Sequence, residues 1–327
     1  MTMERRGFSL VEILVATGIF AMVSVAMIGI YSTATELVRL GESRRAAADE
    51  AVATLAMLDD DLARITPPEA GGFFLAQMPP ASVLGWDPGG SMALAFTISD
   101  RERATTRTIT ATPQRLVLWM ADAQGRLWRC EAPAPDHGQR FALVESWFDV
   151  LTGNNSTTDF VGSTSVGGTT RSVMVQPIAQ GCLLLSVNVF QSGATTLQPT
   201  DDNAWITEKS SLVPDTKPFP EALRISLAFN ASGALVQRGR LIPTGTDTFR
   251  LSGLKNIASG SWLRVTTTAS PVTVEWIRAN PGPSGIFTRD PDPDQDGEKW
   301  RTTAQPLTRG STVQAPVFYS LTRSIGR

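Results

Sequence analysis

From Phe8 to Tyr31 the chain reads FSLVEILVATGIFAMVSVAMIGIY, 24 residues with one charge, Glu12. As a helix rising about 1.5 Å per residue the run measures roughly 36 Å, enough to cross a hydrocarbon core of about 30 Å. The pattern then changes character without a break. Between residues 32 and 66, Leu37, Ala48, Ala51, Leu55, Leu58, Leu62 and Ile65 recur at helical spacing, with Gly41 and Arg44 as weaker members. Glu36, Arg39, Glu42, Arg45, Asp49 and Glu50 fill the other faces. The triplet Asp59-Asp60-Asp61 reads as part of that solvated face rather than as a metal site. Thr66-Pro67-Pro68 ends the segment, because a prolyl ring removes a donor and disfavours helix just before it. The pattern predicts one helix of nearly 60 residues, apolar first and amphipathic second.

After a Gly/Pro-rich connection the period shortens to that of strands. Met92–Ile98 is a short apolar run; Arg115–Met120 and Arg126–Cys130 read as a hairpin about Gly125. Phe141–Val150 is predicted as a further strand, and Leu151–Arg171, rich in Gly, Ser, Thr and Asn, as a long polar loop. Cys182–Phe190 is the strongest candidate for a central strand. A polar connection, 191–220, carries Trp205. Ala222–Phe229 alternates, with 234–242 as its hairpin partner, and further strands fall at Ser261–Thr267 and Val272–Ile277. The boundaries that follow are 1–7, 8–31, 32–66, 72–242 and 243–327. No repeat of 20–50 residues is visible.

Composition narrows the class. Net charge over 327 residues is -2, so there is no electrostatic case for nucleic-acid binding. Charged residues make up 18%, against about 25% in ordinary soluble domains, which suits a β-rich extracytoplasmic domain with polar loops. Cys130 and Cys182 leave two readings. A disulfide between them would stabilise by about 4 kcal/mol in the chain-entropy model; the alternative is a pair of buried free thiols. The single histidine, His137, lies in a polar Pro-Asp-His-Gly stretch and reads as a loop residue. No G-x-S-x-G, G-x-x-x-x-G-K or H-E-x-x-H motif is present, so the expectation is no enzyme. A glycosidase-type carboxylate pair is the one catalytic constellation that plentiful Asp and Glu leave open. Loop tryptophans offer contacts to a polymer or partner, although burial is the commoner fate of Trp.

The sharpest local cluster is Asp290-Pro291-Asp292-Pro293-Asp294-Gln295-Asp296-Gly297-Glu298. Asp292, Asp294 and Asp296 would take the first, third and fifth positions of a calcium loop, with Gly297 at the turn. Thr303 replaces the glutamate of a full EF-hand, and two prolines stiffen the segment. A calcium site and a solvated acidic loop both remain open.

The start of the chain admits three readings. They are a secretory signal cut near Ser32–Ala34, a plain signal anchor, and one that accounts for Gly7 and Glu12. Arg5 and Arg6 before the apolar run favour a cytoplasmic N-terminus, with the bulk of the chain outside. A carboxylate at a bilayer centre costs about 2.5–3.5 kcal/mol and less near an interface, so Glu12 calls for a partner cation. With its basic leader, Gly7-Phe8-Ser9-Leu10-Val11-Glu12 resembles the cleavage and methylation signal of type IV prepilins and type II secretion pseudopilins. The resemblance implies cutting between Gly7 and Phe8 by a prepilin peptidase, and N-methylation of Phe8. It also implies that Glu12 neutralises a neighbouring amino terminus in a fibre. Many major pilins carry a mid-helix proline that this chain lacks; Gly18 and Gly29 are its candidate weak points.

A looser resemblance follows downstream. The order L-V-L-W, G-R-L-W-R, G-C-L-L-L-S-V-N-V-F, a Trp-bearing loop and P-E-A-L-R-I-S-L is similar to J-type minor pseudopilins and W-type minor pilins, over roughly 92–242. It implies an α+β pilin fold, a long N-terminal helix packed on antiparallel β-sheets. Together the resemblances imply a structural initiation or tip subunit. It would be held in the bacterial inner membrane with a periplasmic domain, and would assemble with other minor and major pilins on an inner-membrane platform. No cofactor is required on this reading; calcium is the candidate ion, and its prior rises because several pseudopilins bind it near the C-terminus. The competing class is a membrane-anchored periplasmic binding or hydrolytic domain with a prepilin-like start. Residues 243–327 have no counterpart in that pattern.

Overall fold

The computed structural model describes residues 10–77, 91–99, 114–122, 125–152, 160–191, 198–199, 205–208, 216–229, 238–254, 257, 259–267, 274–282, 285–289 and 309–325. Helix α1 runs unbroken through Leu10–Ala63. The chain divides into two compact units, Met1–Ala46 and Ala47–Arg327, so α1 contributes to both.

In the second unit a 3-10 turn at Pro68–Ala70 follows the helix. Thr66 and Pro67 fold back tightly over Gly72, where an added Cβ would lie 2.0 Å from the Thr66 carbonyl oxygen. Only glycine fits there. Strands β1 (Phe74–Gln77), β2 (Ala93–Ser99), β3 (Gln114–Ala121) and β4 (Arg126–Pro133) precede helix α2 (Arg140–Thr152). Then come β5 (Phe160–Val166), β6 (Thr169–Gln180), β7 (Cys182–Phe190), β8 (Gln198–Pro199), β9 (Trp205–Ile206) and β10 (Ala222–Phe229). The last group is β11 (Arg238–Pro243), β12 (Thr248–Ser252), β13 (Ser261–Thr266), β14 (Val274–Pro281), β15 (Ile286–Arg289), β16 (Thr312–Gln314) and β17 (Val317–Ser324). The α+β class holds: a long N-terminal helix with antiparallel sheets.

Three β-structures result. A seven-stranded sheet has the order β5-β6-β4-β3-β2-β1-β9, a four-stranded sheet the order β17-β10-β7-β8, and β11-β12-β15-β14-β13-β16 close a barrel. The seven-stranded sheet is covered on both faces. On one, Leu58 and Leu62 of α1 pack with Phe74, Phe96 and Trp119, and with Leu185 and Ile225 of the four-stranded sheet. On the other, Phe141, Val144, Trp147 and Phe148 of α2 pack on Leu116, Leu118, Trp128 and Val175. Double coverage is why β2 and β3 read as continuous apolar runs rather than alternating ones.

Four expectations are corrected. Phe141–Val150 is helix: Phe141, Val144, Phe148 and Leu143, Trp147, Leu151 recur at three and four residues, and all six are buried. The segment taken as a long loop contains the hairpin β5–β6, closed by Gly167 and Gly168 with φ of 59° and 76°. Paired positive φ is the geometry of a type I′ turn, which glycine adopts without strain. Of the expected partner 234–242, the described residues 238–242 pair with β12 and β16 and not with β10, which is flanked by β7 and β17. The chain leaves the four-stranded sheet after Phe229, builds the barrel from Arg238 to Gln314, and comes back as β17, paired along the whole of β10. A boundary at 242/243 therefore falls inside β11.

The fourth correction concerns Asp61, whose side chain is 2% exposed. Its carboxylate accepts from Trp119 Nε1 (3.0 Å), Arg129 Nε (2.7 Å) and Nη2 (3.0 Å), and Arg64 Nη2 (2.7 Å). Arg129 Nη1 also donates to Glu131 at 2.6 Å, and Glu131 pairs with Arg115. Consecutive helical residues are about 100° apart, so a triplet cannot share one face. Asp61 lies three residues after Leu58, on the buried stripe, while the Asp60 side chain stays 72% exposed. Burial opposes the charge on Arg129, but hydrogen bonds and charges from Asp61 and Glu131 outweigh it and hold the guanidinium pKa above its ordinary value.

Candidate assembly and processing site

The apolar half of α1 is exposed at every described position except Ser24, which is half-buried. Leu10, Phe20, Met22 and Tyr31 are between 73% and 78% exposed, and no residue of its most apolar stretch is buried within the chain. The helix is long and apolar enough to cross a membrane. Three of its threonine hydroxyls bond back to the helix: Thr17 Oγ1 donates to the Ile13 carbonyl at 2.9 Å, Thr33 to Gly29 at 3.0 Å and Thr35 to Tyr31 at 2.8 Å. Such back-bonding satisfies these three donors on an otherwise apolar surface. Gly18 and Gly29 have nothing within 4 Å of an added Cβ, and the helix runs through both.

Glu12 lies in the first turn of α1 and is exposed. It is the one charge in the apolar stretch. Gly7 and Phe8 lie outside the described residues, as do Asp292, Asp294 and Asp296 of the candidate calcium loop. Among the described residues no cluster of His, Cys, Asp and Glu could hold a metal ion.

Cys130 and Cys182 are free and buried, so the disulfide reading is not the one this fold takes. Cys130 belongs to the cluster under α2, and Cys182 to the core under α1. Burial pushes both thiols up to about 12, with Arg129 pulling the other way on Cys130. His137 is an exposed loop residue 4.0 Å from Glu208. Sequence reasoning passed over Glu208, which accepts from the backbone N–H of Gly138 at 2.5 Å and so caps the approach to α2. Nothing in the polar stretch around Glu208 marks it as buried.

One groove, of about 440 Å³, opens on β3, β4, β5 and β6, lined by Arg115, Glu131, Pro133, Val161, Ser172 and Met174 among others. Its Arg115–Glu131 pair continues the chain of charges from Asp61. These groups are committed to one another in a structural array.

A model of the prokaryotic N-terminal methylation motif matches residues 2–28, spanning the basic leader, Gly7, Phe8, Glu12 and most of the exposed apolar helix. The chain carries a prepilin-type signal. The match covers the N-terminal segment alone. No curated protein and no solved structure matches the chain significantly. The signal marks a substrate of the prepilin-peptidase type, joined to a helix able to span a membrane.

Proposed function

We propose that this chain is a minor pilin or pseudopilin, a structural subunit and not an enzyme. A prepilin peptidase cuts it between Gly7 and Phe8 and methylates Phe8. The subunit waits in the inner membrane with its N-terminus cytoplasmic and its β-rich unit periplasmic. It then joins a pseudopilus or type IV pilus beside other pilins on an inner-membrane platform. The observation that carries this reading is the methylation motif running directly into a helix whose apolar surface the chain itself leaves bare. A bulky head packs poorly around a thin shaft, which favours an initiating or tip position over a repeated one. The J-type and W-type resemblance of residues 92–242 supports the same placement.

Mass spectrometry of the mature N-terminus tests the proposal. A chain beginning at methylated Phe8 is expected; an intact Met1, or a start at Thr35, overturns it in favour of a membrane-anchored binding or hydrolytic domain. Calcium at Asp292, Asp294 and Asp296 is a separate part of the proposal. It predicts a thermal shift with calcium that a chelator reverses and Asp294→Ala abolishes.

A further inference from the structure

The barrel differs in charge from the rest of the chain. Across 238–314 ten basic residues meet seven acidic ones, a balance of 10 − 7 = +3, while the whole chain is at -2. Five of the seven acidic residues fall in 290–298, outside the described residues.

The arginines are not spread evenly. Leu241 and Phe249 point into the barrel and are fully buried, so alternation turns Arg240, Ile242 and Arg250 outward. Arg250 is paired across the ladder with Ile242 on one side and Ile286 on the other. Gly310 N–H donates to the Leu241 carbonyl at 3.0 Å, and Leu241 N–H to the Ser311 carbonyl at 3.0 Å, which brings Arg309 alongside the same end of β11. Arg240, Arg250 and Arg309 are all exposed, and no ion pair or hydrogen bond involves their side chains among the described residues. Ile242 is 37% exposed between them. The wall is therefore a row of apolar, cationic and apolar positions spaced about 4.8 Å apart by the strands, with further cations on either side.

We propose that this outer wall of the barrel, Arg240, Arg250 and Arg309 around Ile242, docks an extended acidic segment of a partner protein in which carboxylates alternate with apolar side chains. Charge complementarity selects the acidic residues. The isoleucines select their apolar neighbours, which a hydrated polyanion does not supply. Nucleic acid fits less well, because base stacking needs exposed aromatic rings. Trp276 is buried against Leu184 and Ala228 of the four-stranded sheet, and Trp262 packs partly buried into the same cluster. Contacts of this kind guide encounter and set specificity more than they supply affinity.

The test uses the full chain in non-ionic detergent and a short labelled peptide alternating Glu with Val. Oligoglutamate, single-stranded DNA and phosphatidylglycerol vesicles serve as comparison probes. The peptide is expected to bind most tightly, to weaken as salt rises, and to lose roughly tenfold in affinity with Arg240→Glu/Arg250→Glu. Ile242→Ser should weaken the peptide while leaving oligoglutamate unchanged. These positions are exposed, so the variants should keep the parent melting temperature. Absence of peptide binding overturns the proposal, as does binding insensitive to Arg240→Glu/Arg250→Glu. Equal binding of all polyanions with no effect of Ile242→Ser reduces the wall to a non-specific cationic surface, and a preference for DNA or vesicles assigns it another partner; each overturns the proposal too.

Discussion

The two stretches of α1 use the same helical backbone for opposite ends. From Leu10 to Tyr31 its apolar side chains touch almost nothing in the chain, whereas from Ala47 onward Ala51, Thr54, Leu58, Asp61 and Leu62 are almost fully buried. A buried leucine contributes about 1.5–3 kcal/mol to the unit that buries it. An exposed one contributes nothing until lipid or another subunit covers it. Apolarity alone therefore does not say which part of a helix holds a fold together. The more polar stretch does so here, and the more apolar stretch is left for an environment outside the chain.

The largest test of this contrast is truncation. A chain beginning at Ala47 retains the whole second unit and is expected to be soluble and to unfold cooperatively. A chain beginning at Arg64 loses Leu58 and Leu62, each worth about 2–5 kcal/mol, along with Ala51 and the Asp61 pairs. Total stability is typically about 5–15 kcal/mol, so that shorter chain should not fold. Circular dichroism melts of the two fragments decide it; equal melting temperatures would break the contrast.

Next in size is the pair of adjacent carboxylates. Asp61→Ala removes two of the three carboxylate hydrogen bonds of the buried Arg129 guanidinium and should cost about 3–5 kcal/mol. Asp60→Ala, on the solvent side, should change stability by less than about 0.5 kcal/mol. Replacing both members of the buried pair, Asp61→Leu with Arg129→Met, should recover much of the loss, since a packed apolar pair needs no desolvation of charge. Urea midpoints of the four proteins measure this, and a double variant no better than Asp61→Ala would show that the pair is irreplaceable.

That pair also shows where the sequence stops being legible. The helix, its change of character near residue 32 and most of the strands follow from the spacing of apolar residues. The burial of Asp61 does not, because its partners Trp119 and Arg129 are 58 and 68 residues away. Only the sheet brings them together. The misread strand at 141–150 is a different failure. Phe-Ala-Leu-Val-Glu-Ser-Trp-Phe-Asp-Val carries apolar residues at spacings of three and four, but a run this short and apolar reads as a buried strand as readily as a helix. The hairpin at Gly167–Gly168 was legible, since two glycines between Thr- and Val-rich runs are a hairpin signal; the surrounding Ser and Gly hid it. The barrel was legible only as scattered strands, because its closure depends on β11 meeting β16, some 70 residues later. At the prepilin-type signal the order reverses: six consecutive residues carry it, and no tertiary contact is needed to read it.

A smaller effect separates what the core protects from what it leaves open. Cys130 and Cys182 are completely buried, so neither should react with maleimide until the chain is unfolded, whereas native-state labelling would contradict the packing. Folding raises both thiols from 9.0 to about 12 through burial. The unfolded state therefore releases protons first as pH rises. Stability from the neutral thiols is fully present below about 9 and is lost as pH climbs from there through about 12. Cys130→Ala/Cys182→Ala should flatten that alkaline decline in the urea midpoint.

The smallest expected change in stability is the most informative about the exposed stretch. Glu12→Val removes the one charge between Phe8 and Tyr31, on a helix surface that the second unit does not bury. The melting temperature of the second unit should stay where it is, and cleavage at Gly7–Phe8 should remain largely intact. On the proposed reading incorporation into the fibre should fall, because valine could not neutralise the amino terminus of a neighbouring subunit. The two readouts divide the alternatives. If incorporation is unchanged, Glu12 does not act between subunits. If the melting temperature falls, the apolar stretch is not energetically separate from the packed one, and the contrast between them fails. A loss of incorporation at constant stability is the one outcome in which the charge acts between subunits rather than within this one.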